Sequence, residues 1–264
     1  MVASANDAAV ALAEHVCGSE DAFVSEMNRK AKELSMAETV FKNCNGLDED
    51  GHVTSAYDVA LMSRELIKHK KIFDYTSIWM DYLRDGKTQL VNTNKLLKSY
   101  NGITGLKTGT TSHAGSCVTA TATRGNLSLN AVILGGANGK ERFKDAATLL
   151  DFGFANYNML KPVIDESIFE PIKVIEGMKP EVGVEVNIDD EIMIPKGKEH
   201  SIDNSMEVVS EINAPVKKGQ SLGRLIYKLN DEIIAEYDII AAESIDAINF
   251  GSVFHVLING FFKI

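Results

Sequence analysis

The sequence has few cysteines and no arrangement of them that predicts a disulfide framework or a zinc site. Its three cysteines, Cys17, Cys44 and Cys117, are odd in number, and none belongs to a Cys-x-x-Cys pair. Free thiols are the simpler interpretation. The six histidines are scattered and form no His-Glu-x-x-His motif. The sequence therefore predicts no metal, and nothing else in it indicates a cofactor.

Positive charge is also scarce. The 264 residues contain 27 lysines and arginines against 37 aspartates and glutamates, a formal net charge of -10. Because an acidic chain repels a phosphate backbone, we do not expect a nucleic acid as a partner. The hydrophobic content of 45% and the charged content of 24% are ordinary for a soluble globular protein with a real core.

Neither a signal peptide nor a confident membrane span is visible. Met1 runs directly into polar residues, without the charged region and apolar run of a secretory signal. The terminal segment, 244–264, is rich in apolar residues but is interrupted by Gly251 and Gly260. We expect it to lie in a membrane interface as an amphipathic anchor. A docked C-terminal helix or strand remains the alternative.

Proline is rare, and its distribution marks a domain boundary. All five prolines follow Tyr157, where helical patterns give way to short alternating apolar runs. These runs predict a small β-sandwich, with Asn230-Asp231 as a hairpin turn. We place the boundary near Lys161-Pro162. The predicted domains are therefore 1–160, 161–243 and the segment 244–264.

The most informative stretch that is present lies at the centre of the chain. Lys107-Thr108-Gly109 reads as part of a strand with a cationic, hydroxyl-bearing edge, although a bare triplet also fits a surface turn. Two further strands follow it, joined by a tight turn at Arg124-Gly125-Asn126. The prediction is an antiparallel sheet of three strands: 104–110, 115–123 and 127–134.

Helices are predicted on both sides of this sheet in the chain. The first opens at Ser4-Ala5-Asn6-Asp7 and ends at Gly18, and Ser19 begins the second. Ser55, with Asp58 three residues later, has the pattern of a capping box. A helix opened by Gly139 carries Arg142 in its first turn and ends near Gly153. The range 72–82 is predicted to be partly helical or irregular.

Together these features resemble the low-molecular-mass penicillin-binding proteins, the serine-type D-alanyl-D-alanine carboxypeptidases of peptidase family S11. The resemblance implies an α/β (α+β) penicillin-binding, β-lactamase-like transpeptidase domain, incomplete at its N-terminus. A small all-β domain and the amphipathic segment would follow it. The matching residues extend over nearly the whole chain: Ser4-Ala5-Asn6-Asp7, Asn45-Gly46-Leu47 with His52, Ala56-Tyr57-Asp58, Gly105 to Gly109 with Thr111, Ala114-Gly115, Arg142, and Leu149 to Phe154.

One motif of that family is missing. Its nucleophile lies in a Ser-x-x-Lys motif, upstream of the Ser-x-Asn motif that Ser4 and Asn6 match. No serine here is followed by lysine three residues later, and the nearest imitation, Thr39-Val40-Phe41-Lys42, lies after Ser4. We therefore expect the chain to lack the N-terminal part that carries the signal peptide, the nucleophilic serine and the general-base lysine. Either Met1 is an internal methionine or the gene is broken.

The resemblance implies roles for the residues nearest the reacting bond. Ser4 would relay a proton between the lysine and the leaving amine, and Asn6 would offer its amide to the acyl side of the substrate. Lys107 would supply positive charge to the terminal carboxylate and to the relay. The alternative for Ser4 and Asn6 is a helix N-cap without any role in chemistry.

Further residues would complete the substrate site. Thr108 would donate a hydrogen bond to the terminal carboxylate, and Gly109 would let the substrate lie against the strand edge. The backbone N–H of Thr110 would serve as one oxyanion donor. Arg142 would hold the carboxylate in a bidentate manner from a helix start, unless it is a solvent-facing surface arginine.

The function that the resemblance implies is removal of the terminal D-alanine of peptidoglycan stem peptides through an acyl-enzyme. Peptidoglycan ending in D-Ala-D-Ala, and β-lactams in the complete enzyme, would be the ligands. The expected location is the outer face of the bacterial cytoplasmic membrane. As it stands, the chain is predicted to be inactive. The alternative is a non-catalytic remnant or a peptidoglycan-binding module.

Overall fold

In the computed structural model of the protein, residues 1–164, 169–188, 190–251 and 254 are described. The chain divides into two compact units, Met1–Asn156 and Tyr157–Ile264. The division lies a few residues before the boundary predicted near Lys161-Pro162. The reason is a strand at Tyr157–Leu160, which the sequence patterns did not predict and which pairs within the second unit.

The first unit combines helices with a central sheet. Its strands bear out the predicted three-stranded hairpin array, each extended by one or two residues. The described elements are α1 (Asn6–Cys17), α2 (Glu20–Glu33), α3 (Ala56–Leu66), α4 (Phe73–Thr76), β1 (Met80–Leu83), β2 (Thr88–Val91), α5 (Leu96–Ser99), β3 (Ile103–Thr111), β4 (Gly115–Arg124), β5 (Leu127–Gly136) and α6 (Gly139–Asn156).

The central sheet has the order β3-β4-β5, with antiparallel neighbours. Strand β3 is therefore an edge, and its outer side has no neighbouring strand among the described residues. The middle strand β4 is buried through Val118, Ala120 and Ala122, each at most 1% exposed. This small, apolar row is what lets other elements approach the sheet closely.

Helices α3 and α6 pack on opposite faces of this sheet. Neighbouring residues of a strand point to opposite faces. Asn130 of β5 donates to the Ala60 carbonyl oxygen of α3, whereas Leu129 faces α6. A Cβ on Gly153 of α6 would lie 2.5 Å from Leu129 Cδ1, so glycine permits the close helix contact there.

The predicted helix caps are mostly confirmed. Ser19 and Ser55 accept hydrogen bonds from the backbone N–H groups of the first turns of α2 and α3. The reciprocal half of the predicted capping box is wrong. The buried carboxylate of Asp58 accepts instead from the Glu38 N–H and the Thr39 hydroxyl. Thr39 of the Ser-x-x-Lys imitation is thus a structural residue, because its proton is committed to Asp58.

The range 72–82, predicted to be partly helical or irregular, ends within the first strand of a hairpin. Strands β1 and β2 pair from Met80 with Val91 to Leu83 with Thr88. Their turn contains Arg84, Asp85 and Gly86, all at positive φ. Asp-Gly is a known hairpin signal, but both flanking strands have only four residues and β1 is exposed throughout. The helical part of the prediction is limited to α4 and the 3₁₀ turn before it.

The second unit consists mainly of β-strands, as predicted, in the residues that the structure describes, with a 3₁₀ turn at Glu199–Ser201. The strands are β6 (Tyr157–Leu160), β7 (Ile172–Ile175), β8 (Glu181–Val182), β9 (Val184–Val186), β10 (Ile192–Pro195), β11 (Ile202–Val208), β12 (Glu211–Asn213), β13 (Ser221–Leu229) and β14 (Glu232–Ala241). The sheets that they form have the orders β6-β10, β11-β13-β14-β9 and β12-β7-β8. The predicted turn at Asn230-Asp231 joins β13 to β14, with both residues at positive φ.

The start of the predicted terminal segment belongs to this unit. Ile245 is 2% exposed, pairs with Val216 and completes an apolar core cluster. The segment at 244–248 is therefore part of the fold, because Ile245 fills the core rather than facing outward. Most of the predicted anchor lies outside the described residues. Among the residues that are described, no helix has the length and apolarity needed to span a membrane.

Candidate active site

The Lys107 ammonium group connects the two predicted motifs. Its Nζ atom donates to Ser4 Oγ at 2.7 Å and to the Thr108 carbonyl oxygen at 2.6 Å. Ser4 and Lys107 are 103 residues apart in sequence. The start of α1 and the edge strand β3 therefore meet at one place, as the predicted pairing of the motifs requires.

Ser4 and Asn6 are not helix caps. The N-cap of α1 is Ala5, and no side chain caps this helix end. The Ser4 hydroxyl accepts from Lys107 instead, and the Ser4 backbone has a φ of 54°. This left-handed conformation is uncommon for a residue with a side chain, and such residues concentrate at functional sites. Asn6 begins the helix with an exposed side chain.

Two positive groups, Lys107 and Arg142, lie at this site. Burial lowers the pKa of Lys107, and the positive charge of Arg142 lowers it further. Burial also lowers the pKa of Arg142. Over the described ranges, neither cation has a carboxylate within 4.0 Å. The site thus carries an uncompensated positive charge, which favours an anionic ligand.

Arg142 is buried at 8% exposure, so the alternative of a surface arginine is wrong. Its Nη1 atom donates to Gly109 O at 2.8 Å, Thr110 Oγ1 at 2.9 Å and Cys117 O at 3.1 Å. The guanidinium therefore ties the end of β3 to β4. A bidentate carboxylate contact through Nη1 would require it to leave these acceptors. The buried Nε atom has no partner within the described structure.

The position of Arg142 follows from the start of α6. Asn138 Oδ1 accepts hydrogen bonds from the backbone N–H groups of Lys140 and Glu141 at 3.0 Å each. This side-chain cap begins the helix at Gly139 and places Arg142 one turn inside it, as predicted. The guanidinium also lies 4.8 Å from the centre of the Phe143 ring, a cation–π contact.

The edge of β3 leaves room for a ligand. Thr110 is exposed, and a Cβ built on Gly109 would meet no protein atom within 4 Å. The packing of the protein itself therefore does not require glycine at that position. An extended peptide can add to such an unpaired edge through backbone hydrogen bonds.

The loop at residues 46–54 contacts the turn that follows β3. Asp48 Oδ2 accepts from Ser112 Oγ at 3.0 Å and from the His113 N–H at 3.2 Å, in the turn after β3. A hydrogen bond from Thr111, followed by those from His113 and Ser112, lowers the pKa of Asp48. A cavity of about 690 Å³ lies between this loop and the turn. The acidic loop thus anchors the turn after β3.

Thr93 was missed by the sequence patterns. Thr108 Oγ1, which is buried, donates to Thr93 Oγ1 at 2.6 Å. The available signal was the Asn92-Thr93-Asn94 triplet just before β3, since asparagines so close together often build side-chain turns. Which hydroxyl the turn would present to β3 depends on the tertiary fold.

The sequence matches two families of known proteins. Residues 1–138 match the family described as D-alanyl-D-alanine carboxypeptidase. Residues 157–247 match the C-terminal domain of penicillin-binding protein 5. The predicted fold class, a penicillin-binding transpeptidase domain followed by an all-β domain, is therefore confirmed.

Individual relatives agree with this assignment. D-alanyl-D-alanine carboxypeptidase DacF of Bacillus subtilis is 40% identical over 94% of this chain and 65% of its own length. Penicillin-binding protein 5 of Haemophilus influenzae matches with a TM-score of 0.80 at 31% identity, over 93% of this chain and 72% of that one. Penicillin-binding protein D2 of Listeria monocytogenes, solved with cefotaxime bound, has a TM-score of 0.53 at 39% identity, over 57% and 62%. The chain spans just under two thirds of the length of relatives such as DacF.

Proposed function

The chain belongs to the D-alanyl-D-alanine carboxypeptidase family, peptidase family S11, and from this membership we propose that its β3 edge binds peptidoglycan stem peptides ending in D-Ala-D-Ala. The observation that carries the proposal is the 2.7 Å contact between Lys107 Nζ and Ser4 Oγ. This contact lies beside the positive charge of the Arg142 guanidinium, for which the described residues provide no carboxylate within 4.0 Å. A terminal carboxylate would supply the missing negative charge.

The reaction of the complete site is acyl transfer in cell-wall biosynthesis. A serine attacks the D-Ala-D-Ala peptide bond, D-alanine leaves, and water hydrolyses the acyl-enzyme. Ser4 is suited to pass a proton toward the leaving amine, because its hydroxyl is within hydrogen-bond reach of Lys107. Lys107 and Thr108 would hold the carboxylate, and Asn6 and the Thr110 N–H would face the acyl side.

The 264 residues contain no Ser-x-x-Lys motif. We infer that they supply the substrate clamp of this reaction without its nucleophile, and that this chain is not acylated. A nucleophilic serine needs a base within hydrogen-bond reach. Thr39, in the closest imitation, donates its hydroxyl hydrogen bond to the buried carboxylate of Asp58. A non-catalytic peptidoglycan-binding module is therefore the second candidate function.

Labelling with a fluorescent penicillin tests the chemistry. We expect no covalent adduct on the 264-residue chain after denaturing electrophoresis, while penicillin-binding protein 5 of H. influenzae, treated in parallel, is labelled. An adduct on this chain would refute the inference. The DNA upstream of Met1 separates the two candidates. An in-frame Ser-x-x-Lys codon run there supports the carboxypeptidase, and a stop codon or frameshift supports the binding module.

We also propose that the C-terminal segment attaches the protein to the outer face of the bacterial cytoplasmic membrane. Ile248, Phe250 and Phe254 are 53%, 86% and 54% exposed, and the two phenylalanine rings stack at 6.0 Å. Exposed aromatic groups of this kind favour a membrane interface. Co-sedimentation with phosphatidylglycerol vesicles should fall in a Phe250→Ser/Phe254→Ser variant. Unchanged sedimentation would contradict the proposal.

A further inference from the structure

We propose that Thr93 is a positioning residue that prepares the Thr108 hydroxyl for the terminal carboxylate of the ligand. The inference rests on the proposed function, because it assigns a task within the same clamp. Its starting point is the 2.6 Å hydrogen bond in which Thr108 Oγ1 donates to Thr93 Oγ1. Thr93 thereby controls the one side-chain hydroxyl of β3 that is expected to meet the ligand's negative end.

Two buried asparagines hold Thr93 in place. Asn92, 7% exposed, donates from Nδ2 to the Ile78 carbonyl oxygen and accepts from the Asn94 N–H. Asn94, 1% exposed, accepts from the Leu96 N–H and donates to the Gly105 carbonyl oxygen of β3. Because the turn is fastened to β3 itself, the Thr93 hydroxyl has a fixed position relative to Thr108. An exposed threonine on an untethered loop would lack that order.

The two hydroxyls have a spare hydrogen-bond donor when no ligand is bound. The Thr108 O–H donates its hydrogen bond to Thr93, and within the described residues Thr93 Oγ1 has Thr108 as its hydrogen-bond partner. A hydroxyl has one donor and two acceptor sites. When an acceptor-only group arrives, Thr108 can turn its O–H toward it while Thr93 turns its own O–H toward Thr108. The Thr93–Thr108 hydrogen bond is kept with its direction reversed, and a new one to the ligand forms.

This reversal favours a carboxylate over a neutral terminal amide. Hydrogen bonds to a carboxylate are about twice as strong as those to a neutral acceptor. A chain of hydroxyls that donate in the same direction polarises each member and strengthens the last bond. Without the Thr93 hydroxyl, Thr108 must bind the carboxylate with a free rotor and no donor behind it. Removing the Thr93 hydroxyl should therefore lower the affinity for a ligand that ends in a carboxylate and leave the affinity for a ligand that ends in an amide unchanged.

The experiment compares two probes by isothermal titration calorimetry on the full chain. One probe is an N-acetylated peptide ending in D-Ala-D-Ala, and the other is the same peptide with a C-terminal amide. In Thr93→Val we expect the affinity for the acid to fall by roughly threefold to tenfold, the value of one hydrogen bond, with the amide affinity unchanged. Thr93→Ser, which keeps the hydroxyl, should restore the preference for the acid.

Control variants separate positioning from folding. Thr104→Val removes one hydroxyl from another threonine pair of the same sheet, 2.8 Å from Thr121 Oγ1, and should leave both affinities unchanged. Thr93→Ala provides a second deletion if Thr93→Val does not fold. If the unsubstituted chain and the folded deletion variant bind the peptide acid with equal affinity, the inference about Thr93 is overturned and the proposed function is not. If the unsubstituted chain itself shows no preference for the acid, both the proposed function and the inference are overturned.

Discussion

Replacing Lys107 with methionine should weaken ligand binding strongly and leave the stability of the fold nearly unchanged. Methionine keeps most of the length and apolar volume of the lysine stem and removes the ammonium. In the folded protein that ammonium is partly desolvated and lies beside a second cation, which is why its pKa is lowered. The charge is therefore an electrostatic cost that a ligand offsets, rather than a source of stability.

The expected change in peptide affinity is large, whereas the expected change in the free energy of unfolding is small. The interaction between Lys107 and a carboxylate is a charge-assisted hydrogen bond, about 1.5–3 kcal/mol, so affinity should fall by roughly tenfold to a hundredfold. For the free energy of unfolding, two hydrogen bonds of about 1 kcal/mol each are lost, to Ser4 and to the Thr108 carbonyl oxygen. Relief of desolvation and of repulsion by Arg142 opposes that loss. The net change should stay within about 1 kcal/mol.

Calorimetry with the D-Ala-D-Ala peptide and urea denaturation measure the two quantities on the same preparations. Lys144→Met is the matched control, because Lys144 is an exposed lysine of α6, and it should change neither. The reasoning is refuted if Lys107→Met binds the peptide as tightly as the unsubstituted chain. It is also refuted if the variant loses several kcal/mol of stability, since Lys107 would then be a structural residue.

Two further predictions concern the other cation and the pH. Arg142→Ala should destabilise the first unit by about 2–4 kcal/mol in urea denaturation, because it strips Gly109 O, Cys117 O and the Thr110 hydroxyl of a shared donor; a loss below about 0.5 kcal/mol would contradict this assignment. Affinity for the peptide acid should fall as pH rises through the lowered pKa of Lys107, at values below 10.5, since an anion binds the protonated lysine more tightly. Lys107→Arg should remove this fall, because arginine stays protonated there; the same pH profile in both proteins would refute it.

Much of the fold was predictable because local patterns and tertiary packing agree. The second and third strands around Lys107-Thr108-Gly109 could be placed without knowledge of their neighbours, because the tight turn at Arg124-Gly125-Asn126 joins them. Helix α1 could be bounded by Gly18, which adopts a φ of 83°. The hairpin of β1 and β2 was missed because its strands have only four residues each and β1 is exposed throughout.

The site was predictable only in part. The contact between Ser4 and Lys107 was expected from family resemblance, because no local pattern connects residues 103 positions apart. Arg142 was assigned to the carboxylate, but its three acceptors on β3 and β4 follow from how α6 lies on the sheet. Thr93 was not singled out, because its importance comes from one 2.6 Å contact that the folded chain creates.

Chemical-shift mapping by NMR tests the central claim, that the β3 edge is a clamp for a D-alanyl carboxylate. The ¹⁵N-labelled chain is titrated with an N-acetylated peptide ending in D-Ala-D-Ala and, separately, with its L-Ala-L-Ala counterpart. We predict saturable shifts of the backbone amides of Thr108, Gly109 and Thr110 with the D-peptide alone. No shift at these amides, or equal shifts with the L-peptide, would contradict the claim.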